Sequence, residues 1–274
     1  MTSEAAAPPP RLTALSRSVA GRVAIITGAG SGMGRATAYL FADEGARVAI
    51  CDRNQESIDE TADAIRSVHG DDAVLSLACD VAESAQLRSL VDATIDRFGQ
   101  LDIVVNNAGV AGPSPLDAHL ISDEQFDHAW RSTFDVNVGA YAVLVRLALP
   151  HLRESDAARI VNIASTEAIV ATPGLSAYSA SKAAVTGLTR AMAVELGREG
   201  ITANCICPGP IETGMTENIP DDAKATYARR RVPLRRYGQP EEVAQITLSL
   251  CLPAASFLNG ATIPVDGGMT VRHT

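Results

Sequence analysis

A single α/β domain is the fold class this sequence predicts, and three observations predict it. Short apolar runs rich in Val and Ile alternate with amphipathic stretches along the chain. A glycine-rich turn, Gly28-Ala-Gly-Ser-Gly-Met-Gly34, follows the first apolar run and opens the first helical pattern. The 274 residues are 46% hydrophobic but only 4% aromatic, which suits aliphatic strands and helices packed in layers within one large domain.

Composition narrows the function classes. A net charge of -9 gives no electrostatic footprint for nucleic acid or an anionic membrane surface. No apolar run reads as long enough to span a bilayer. The five cysteines are an odd number without zinc-ribbon spacing. Cys205 and Cys207 fall on one face of a predicted strand and read as core packing, and free buried thiols suit a reducing cytoplasm. His119 and His128 are not spaced as a metal pair, so no metal site is expected.

Residues 1–20, with Ala-Ala-Ala-Pro-Pro-Pro and no apolar periodicity, read as a mostly disordered extension without a secretory h-region. The domain then occupies 21–274. Its first strand is Arg22–Thr27, β-branched at its centre. The glycines that follow let the backbone turn tightly and approach a pyrophosphate held on the N-terminus of a helix running to about Glu44. A second strand, Ala46–Cys51, ends at Asp52. A carboxylate there can accept hydrogen bonds from an adenosine ribose and repels a 2′-phosphate, which favours NAD over NADP. Arg53, next in the chain, is the feature that points the other way.

The middle of the chain repeats the unit. A helix over Gln55–Val68 leads to a strand over Ala73–Cys79. A helix over Ala85–Phe98 leads to a strand over Leu101–Val105 that ends in Asn106-Asn-Ala-Gly109. After a long connection, residues 110–128, one long helix extends to about Leu152 and carries Asn137 among apolar neighbours; a buried amide there needs partners. Arg159–Ala164 is the fifth strand, with Ser165 at its end, and Leu175–Arg198 the next helix. Within it, Tyr178-Ser-Ala-Ser-Lys182 places a phenol and an ammonium on one helix face. So close a cation is expected to stabilise the phenolate and lower the tyrosine from its ordinary pKa of ~10 toward acid–base work near neutrality. Ile201–Cys207 is the sixth strand, followed by Pro208-Gly209-Pro210. A helix over Glu241–Cys251 and a strand over Ala261–Val265 close the chain before Asp266-Gly-Gly268.

Thr27-Gly28-x-x-x-Gly32-x-Gly34, Asn106-Asn-Ala-Gly109, Asn137, Ser165, Tyr178-x-x-x-Lys182 and Pro208-Gly209, in this order, resemble the short-chain dehydrogenase/reductase family from about Gly21 to Gly268. The resemblance implies a Rossmann fold, a doubly wound parallel sheet of seven strands, and nicotinamide-dependent oxidoreduction of an alcohol or ketone. It implies that Gly28, Ser31, Gly32, Met33 and Gly34 hold the cofactor. Asp80 and Val81 flank the adenine, Asn107 lies along the cofactor, and Pro208, Gly209 and Ile211 border it. Thr213 bonds the nicotinamide carboxamide. It assigns Ser165 to orient the substrate oxygen, Tyr178 to act as base, and Lys182 to lower the tyrosine's pKa and bind the nicotinamide ribose. Asn137 is assigned to hold a water that links Lys182 to solvent. It also implies a homotetramer.

For the substrate, residues 211–237 read as a lid in which Met215, Ile219 and Tyr227 can form an apolar cover. The lid region also holds Arg229, Arg230, Arg231, Arg235 and Arg236, read either as an anion patch or as a solvated helix end. Glu167, two residues past Ser165, is expected to accept hydrogen bonds from vicinal hydroxyls, favouring a sugar, polyol or cyclic diol. The leading expectation is an NAD-dependent alcohol dehydrogenase. The alternatives are an NADPH-dependent 3-ketoacyl-type ketoreductase, disfavoured by Asp52 and the lack of a basic residue at Ser31, and a non-catalytic nucleotide-binding redox sensor.

Overall fold

The computed structural model describes residues 12–273. The element order is β1 (Val23–Thr27), α1 (Gly32–Asp43), β2 (Arg47–Asp52), α2 (Gln55–His69), β3 (Val74–Ala78), α3 (Ser84–Phe98), β4 (Ile103–Asn106), α4 (Asp123–Phe134), α5 (Ala140–Leu152), β5 (Arg159–Ile163), α6 (Ser176–Leu196), β6 (Thr202–Pro208), α7 (Asp221–Arg231), α8 (Pro240–Cys251) and β7 (Thr262–Val265). The strands form one seven-stranded sheet in the order β3-β2-β1-β4-β5-β6-β7, every pair parallel. The order reverses between β1 and β4, and ligands of such sheets bind at the carboxyl edge beside that switch point.

The strands are apolar runs because both faces are covered. One face packs Ile25, Val104 and Ile160 against α3, α5 and α6 residues such as Leu90, Leu144 and Val185. The other packs Ile26, Ile50 and Val105 against Phe41, Ile58 and Val243 of α1, α2 and α8. Cys205 and Cys207 are buried in the first cluster, as their strand spacing predicts.

Three expectations about organisation change. Residues Met1–Arg11 of the expected disordered extension lie outside the described residues. Its last part, however, belongs to the domain: Val19 is fully buried, and the Ser16 carbonyl accepts a hydrogen bond from the Ala254 N–H. The long helix before β5 is α4 and α5 joined by a π-helical turn, Asp135–Gly139. This 30-residue stretch has a mean hydropathy of 1.2 in its most apolar window, so among the described residues one helix is long and apolar enough to cross a membrane, contrary to the sequence reading. Here Tyr141, Leu144, Ala148 and Leu152 make it a core helix. Finally, the lid contains a helix of its own, α7.

Candidate active site

The glycine-rich turn is shaped by close packing. Gly28 has a φ of +66°, and a Cβ there would lie 2.8 Å from the Ala108 Cα; a Cβ on Gly34 would lie 2.2 Å from the Gly28 carbonyl oxygen. Thr27 and Asn107 fasten the turn to the end of β4. The Thr27 Oγ1 accepts from the N–H groups of Asn107 and Ala108, and the Asn107 amide donates to the carbonyls of Thr27 and Gly28. Asn107, expected along the cofactor, therefore uses its amide hydrogens to build the cradle. Ser31 precedes α1 in extended conformation, and its side chain makes no capping bond. The N–H groups of Gly32, Met33 and Gly34 open the helix with its positive dipole end, which fits a pyrophosphate.

Asp52 reaches across this turn. Its carboxylate accepts from the Gly30 N–H at 3.2 Å and the Asn54 N–H at 3.1 Å. Arg53 is exposed and makes no ion pair among the described residues. Asp80 lies exposed at the same edge, capping Ala82 with its carboxylate, while Val81 turns inward and is buried. The residues present fit a dinucleotide: an uncapped helix N-terminus, a cradle that a Cβ would fill, and a carboxylate one strand over.

Ser165 follows β5, and Tyr178 and Lys182 lie on the first two turns of α6, so both elements deliver their side chains to this edge. Ser165 is nearly buried, and its Oγ accepts from the Glu167 N–H. Burial pushes the Tyr178 pKa up, against the lowering effect of Ser165, and the Glu167 charge adds to the rise. Lys182 is buried. Its Nζ donates to the Ile163 carbonyl at 2.8 Å and lies 5.8 Å from the ring centroids of both Tyr141 and Tyr178. Burial lowers its pKa to about 8. The expectation that the ammonium lowers the phenol's pKa is thus not met in this structure. The four-residue spacing brings the pair to one face, but the lysine reaches back to the last carbonyl of β5, and desolvation dominates both groups.

Asn137 is fully buried in the π-helical turn, a feature frequent at functional sites. Its Oδ1 accepts from the Val110 N–H, and its Nδ2 donates to the Val110 carbonyl and the Ser181 Oγ. Ser181 in turn donates to the Tyr178 carbonyl. Asn137 therefore ties the strand β4 extension to α6, and both its amide hydrogens are occupied rather than free for the expected water. A Cβ on Gly109 would come within 3.2 Å of the Lys182 Nζ, so the chain passes directly over the site.

Two participants escaped the sequence reading. Tyr141, 1% exposed, directs its hydroxyl at the carbonyls of Ala108 and Ile163, so it shares the Ile163 acceptor with Lys182. Its signal was a hydroxyl four residues after Asn137 in an apolar helix. Ser181 lay within the Tyr178–Lys182 stretch, but its partner is distant in sequence.

The lid completes the edge. A Cβ on Gly209 would lie 2.8 Å from the Asp266 Cα, so the turn after Pro208 packs on the chain after β7. Ile211 is buried, and the Thr213 methyl would meet a Cβ on Gly32 at 3.1 Å, which places Thr213 beside the glycine-rich turn. Lys224 of α7 pairs with Glu212 at 2.6 Å. Arg236 is occupied by Glu242, with contacts of 2.6 and 2.7 Å, and this guanidinium holds the Glu242 carboxyl down to about 2. Arg229, Arg230 and Arg231 form the exposed last turn of α7, where the helix dipole favours cations. A cleft of about 920 Å³ runs from Gly32 and Thr213 along Arg35 and Tyr39 to Lys224. Its walls include none of Ser165, Tyr178 and Lys182, so it adjoins the glycine-rich turn and is not the reaction chamber.

Glu167 is not a free acceptor. Its carboxylate accepts from the Thr172 N–H (2.9 Å), the Thr172 hydroxyl (2.6 Å) and the Ser179 hydroxyl (2.7 Å). It staples the loop after Ser165 to α6, which removes the ground for a vicinal-diol contact.

The family profile described as enoyl-(acyl carrier protein) reductase matches residues 28–270. Among curated relatives, a 3-oxoacyl-[acyl-carrier-protein] reductase of Thermotoga maritima is 37% identical over 251 residues, 92% of this chain and 98% of that protein. A 2-(R)-hydroxypropyl-CoM dehydrogenase of Xanthobacter autotrophicus is 39% identical, covering 91% and 98%. A solved 3-ketoacyl-(acyl-carrier-protein) reductase from Brucella melitensis, complexed with NADH, superposes with a TM-score of 0.83 at 34% identity, covering 92% of this chain and all of that one. The chain belongs to the short-chain dehydrogenase/reductase family, oxidoreductases built on a Rossmann fold.

Proposed function

We propose that the protein is an NAD-dependent dehydrogenase that interconverts a secondary alcohol and its ketone. The observation that carries this reading is the convergence of Ser165, Tyr178 and Lys182 at the sheet edge that also bears the glycine-rich turn and Asp52. Bound in that cradle, a nicotinamide dinucleotide supplies the hydride acceptor or donor. Ser165 hydrogen-bonds the substrate oxygen and orients it. In oxidation Tyr178 removes the hydroxyl proton as the carbon loses a hydride, giving ketone, reduced cofactor and one proton. Lys182 holds the nicotinamide ribose, and Asn137 keeps Val110 and α6 in register around the pair. Gly28, Ser31, Gly32, Met33, Gly34, Pro208, Gly209, Ile211 and Thr213 line the cofactor, with Asp80 and Val81 beside the adenine.

Asp52 supports NAD, because its carboxylate lies against the glycine-rich turn, accepting the Gly30 N–H, where it repels a 2′-phosphate; the exposed Arg53 beside it is the feature that points the other way. A 3-ketoacyl-type ketoreductase is the second reading, favoured by the name of the Thermotoga relative. The Brucella protein of that type holds NADH, so Asp52 does not by itself separate the two reactions. The five buried free thiols suit a reducing cytoplasm. Exposed apolar side chains away from the site, Val194 on α6 and Phe257 and Val271 near β7, support assembly as a homotetramer, which sedimentation checks.

Initial rates with NAD and NADP across a panel of secondary alcohols test the reading; turnover at least tenfold better with NAD is expected, and equal or better use of NADP overturns it. The raised pKa keeps Tyr178 protonated at neutral pH. Ketone reduction then starts with its proton in place, whereas oxidation needs that proton removed. Oxidation rates should rise from neutral to alkaline pH and reduction rates fall.

A further inference from the structure

Three segments that border the candidate reaction centre carry exposed large apolar side chains. Leu116 (81% exposed) lies in the connection after β4, Ile169 (49%) and Val170 in the loop after Ser165, and Met215 (59%) and Ile219 in the lid. Three observations bring these segments to one mouth. The first is pinned at Val110 by Asn137 and at Ser114 by Gly174 and Ala177, just ahead of Tyr178. The second is stapled to α6 by Glu167. The lid meets the glycine-rich turn at Thr213.

The polar side chains between these segments are used on one another. Ser114 accepts from the Ala177 N–H, and the Ser176 hydroxyl donates to the Ser114 carbonyl. Thr172 and Ser179 donate to Glu167. The exposed large side chains these segments present are aliphatic, and Ser165 and Tyr178 are the polar pair of the site they border. Such a wall offers little to a hydroxyl-rich molecule, since each buried hydroxyl without a partner is penalised. It offers each buried methylene the full hydrophobic gain.

We infer that the substrate is a secondary alcohol, or its ketone, bearing a bulky apolar chain or ring, bound against Leu116, Ile169 and Met215, rather than a sugar or polyol. The inference rests on the dehydrogenase reading and deepens it.

The test is kcat/KM with NAD across 2-butanol to 2-octanol, cyclohexanol, and polyols of matched carbon number. About a fourfold rise per added methylene is expected over the first few carbons, with polyols at least tenfold below the matched alcohols. Met215→Ser and Leu116→Ser should each flatten the gradient. Dead-end binding of the corresponding ketones to the Tyr178→Phe protein with NADH, followed by nucleotide fluorescence, reads the same gradient without turnover. A ketone gradient in binding with no turnover by the unsubstituted protein would sink the dehydrogenase reading and leave the apolar site standing. A flat binding series, or polyols preferred, overturns the inference. So does a Met215→Ser protein that dissociates into smaller oligomers with its gradient intact, since the residue would then be a subunit contact.

Discussion

At the start of β4, Asp102 is 3% exposed and fully engaged: it accepts from the Val23 N–H, Arg22, Gln100 and the Ser155 hydroxyl. At the other edge of the sheet, Lys182 is equally buried but has a single hydrogen bond among the described residues, to the Ile163 carbonyl, with two aromatic faces nearby. Asp102 knits β1, β4 and the segment before β5 together. Lys182 retains an ammonium that burial has driven down to about 8. Saturation separates the two. A buried ion with every lone pair occupied holds the fold, whereas one left short of partners is available to a ligand.

The largest expected effect probes the short-partnered edge. Tyr178→Phe should lower kcat/KM about 1,000-fold, within the range for loss of a general acid–base. NAD affinity and circular dichroism should be unchanged, because only a hydroxyl at the site edge is removed. Asp102→Ala breaks the saturated edge and should lower stability by about 3 kcal/mol in urea unfolding, as losing one partner of a buried charge network does. Its kcat per folded molecule should hold, and a matching fall in kcat would erase the distinction between the edges.

Lys182→Met reverses the sign on stability. The lysine's pKa falls from 10.5 to about 8 on folding, so its charged form is disfavoured in the native state. That penalty is complete below pH 8 and disappears as pH rises toward 10.5, where the unfolded chain also loses its proton. The ligand-free Met variant should therefore be more stable than the parent near pH 7, by on the order of 3 kcal/mol, with the advantage shrinking above pH 8 while turnover is lost. Thermal unfolding across pH 6 to 10 checks it. Glu167→Ala should have the smallest effect. Removing the Thr172 and Ser179 bonds loosens the loop by about 1 kcal/mol, visible as faster amide exchange at Thr172. The alcohol-to-polyol preference should stay as it was; a selective loss of polyol turnover would restore Glu167 as a substrate contact.

Much of this was determined by the sequence alone. Strand and helix periods, the glycine turn, Asp52 and the ordered motifs yielded the family and most elements to within a few residues, because those signals are local: periodicity of burial, backbone freedom at Gly28, a carboxylate at a strand end. The helix α4, however, begins at Asp123 inside the expected 110–128 connection, and α7 was missed. The candidate residues Ser165, Tyr178 and Lys182 came from the ordered motifs through the family resemblance. Tertiary structure alone decided what each polar atom does. Whether Glu167 is free or stapled depends on Thr172 and Ser179, whether Asn137 holds a water or Val110 depends on a π-helical turn, and Val19 enters the core only because the assembled sheet leaves a place for it. Hydrogen-bond saturation is a property of neighbours brought together from distant parts of the chain, and no spacing rule contains it.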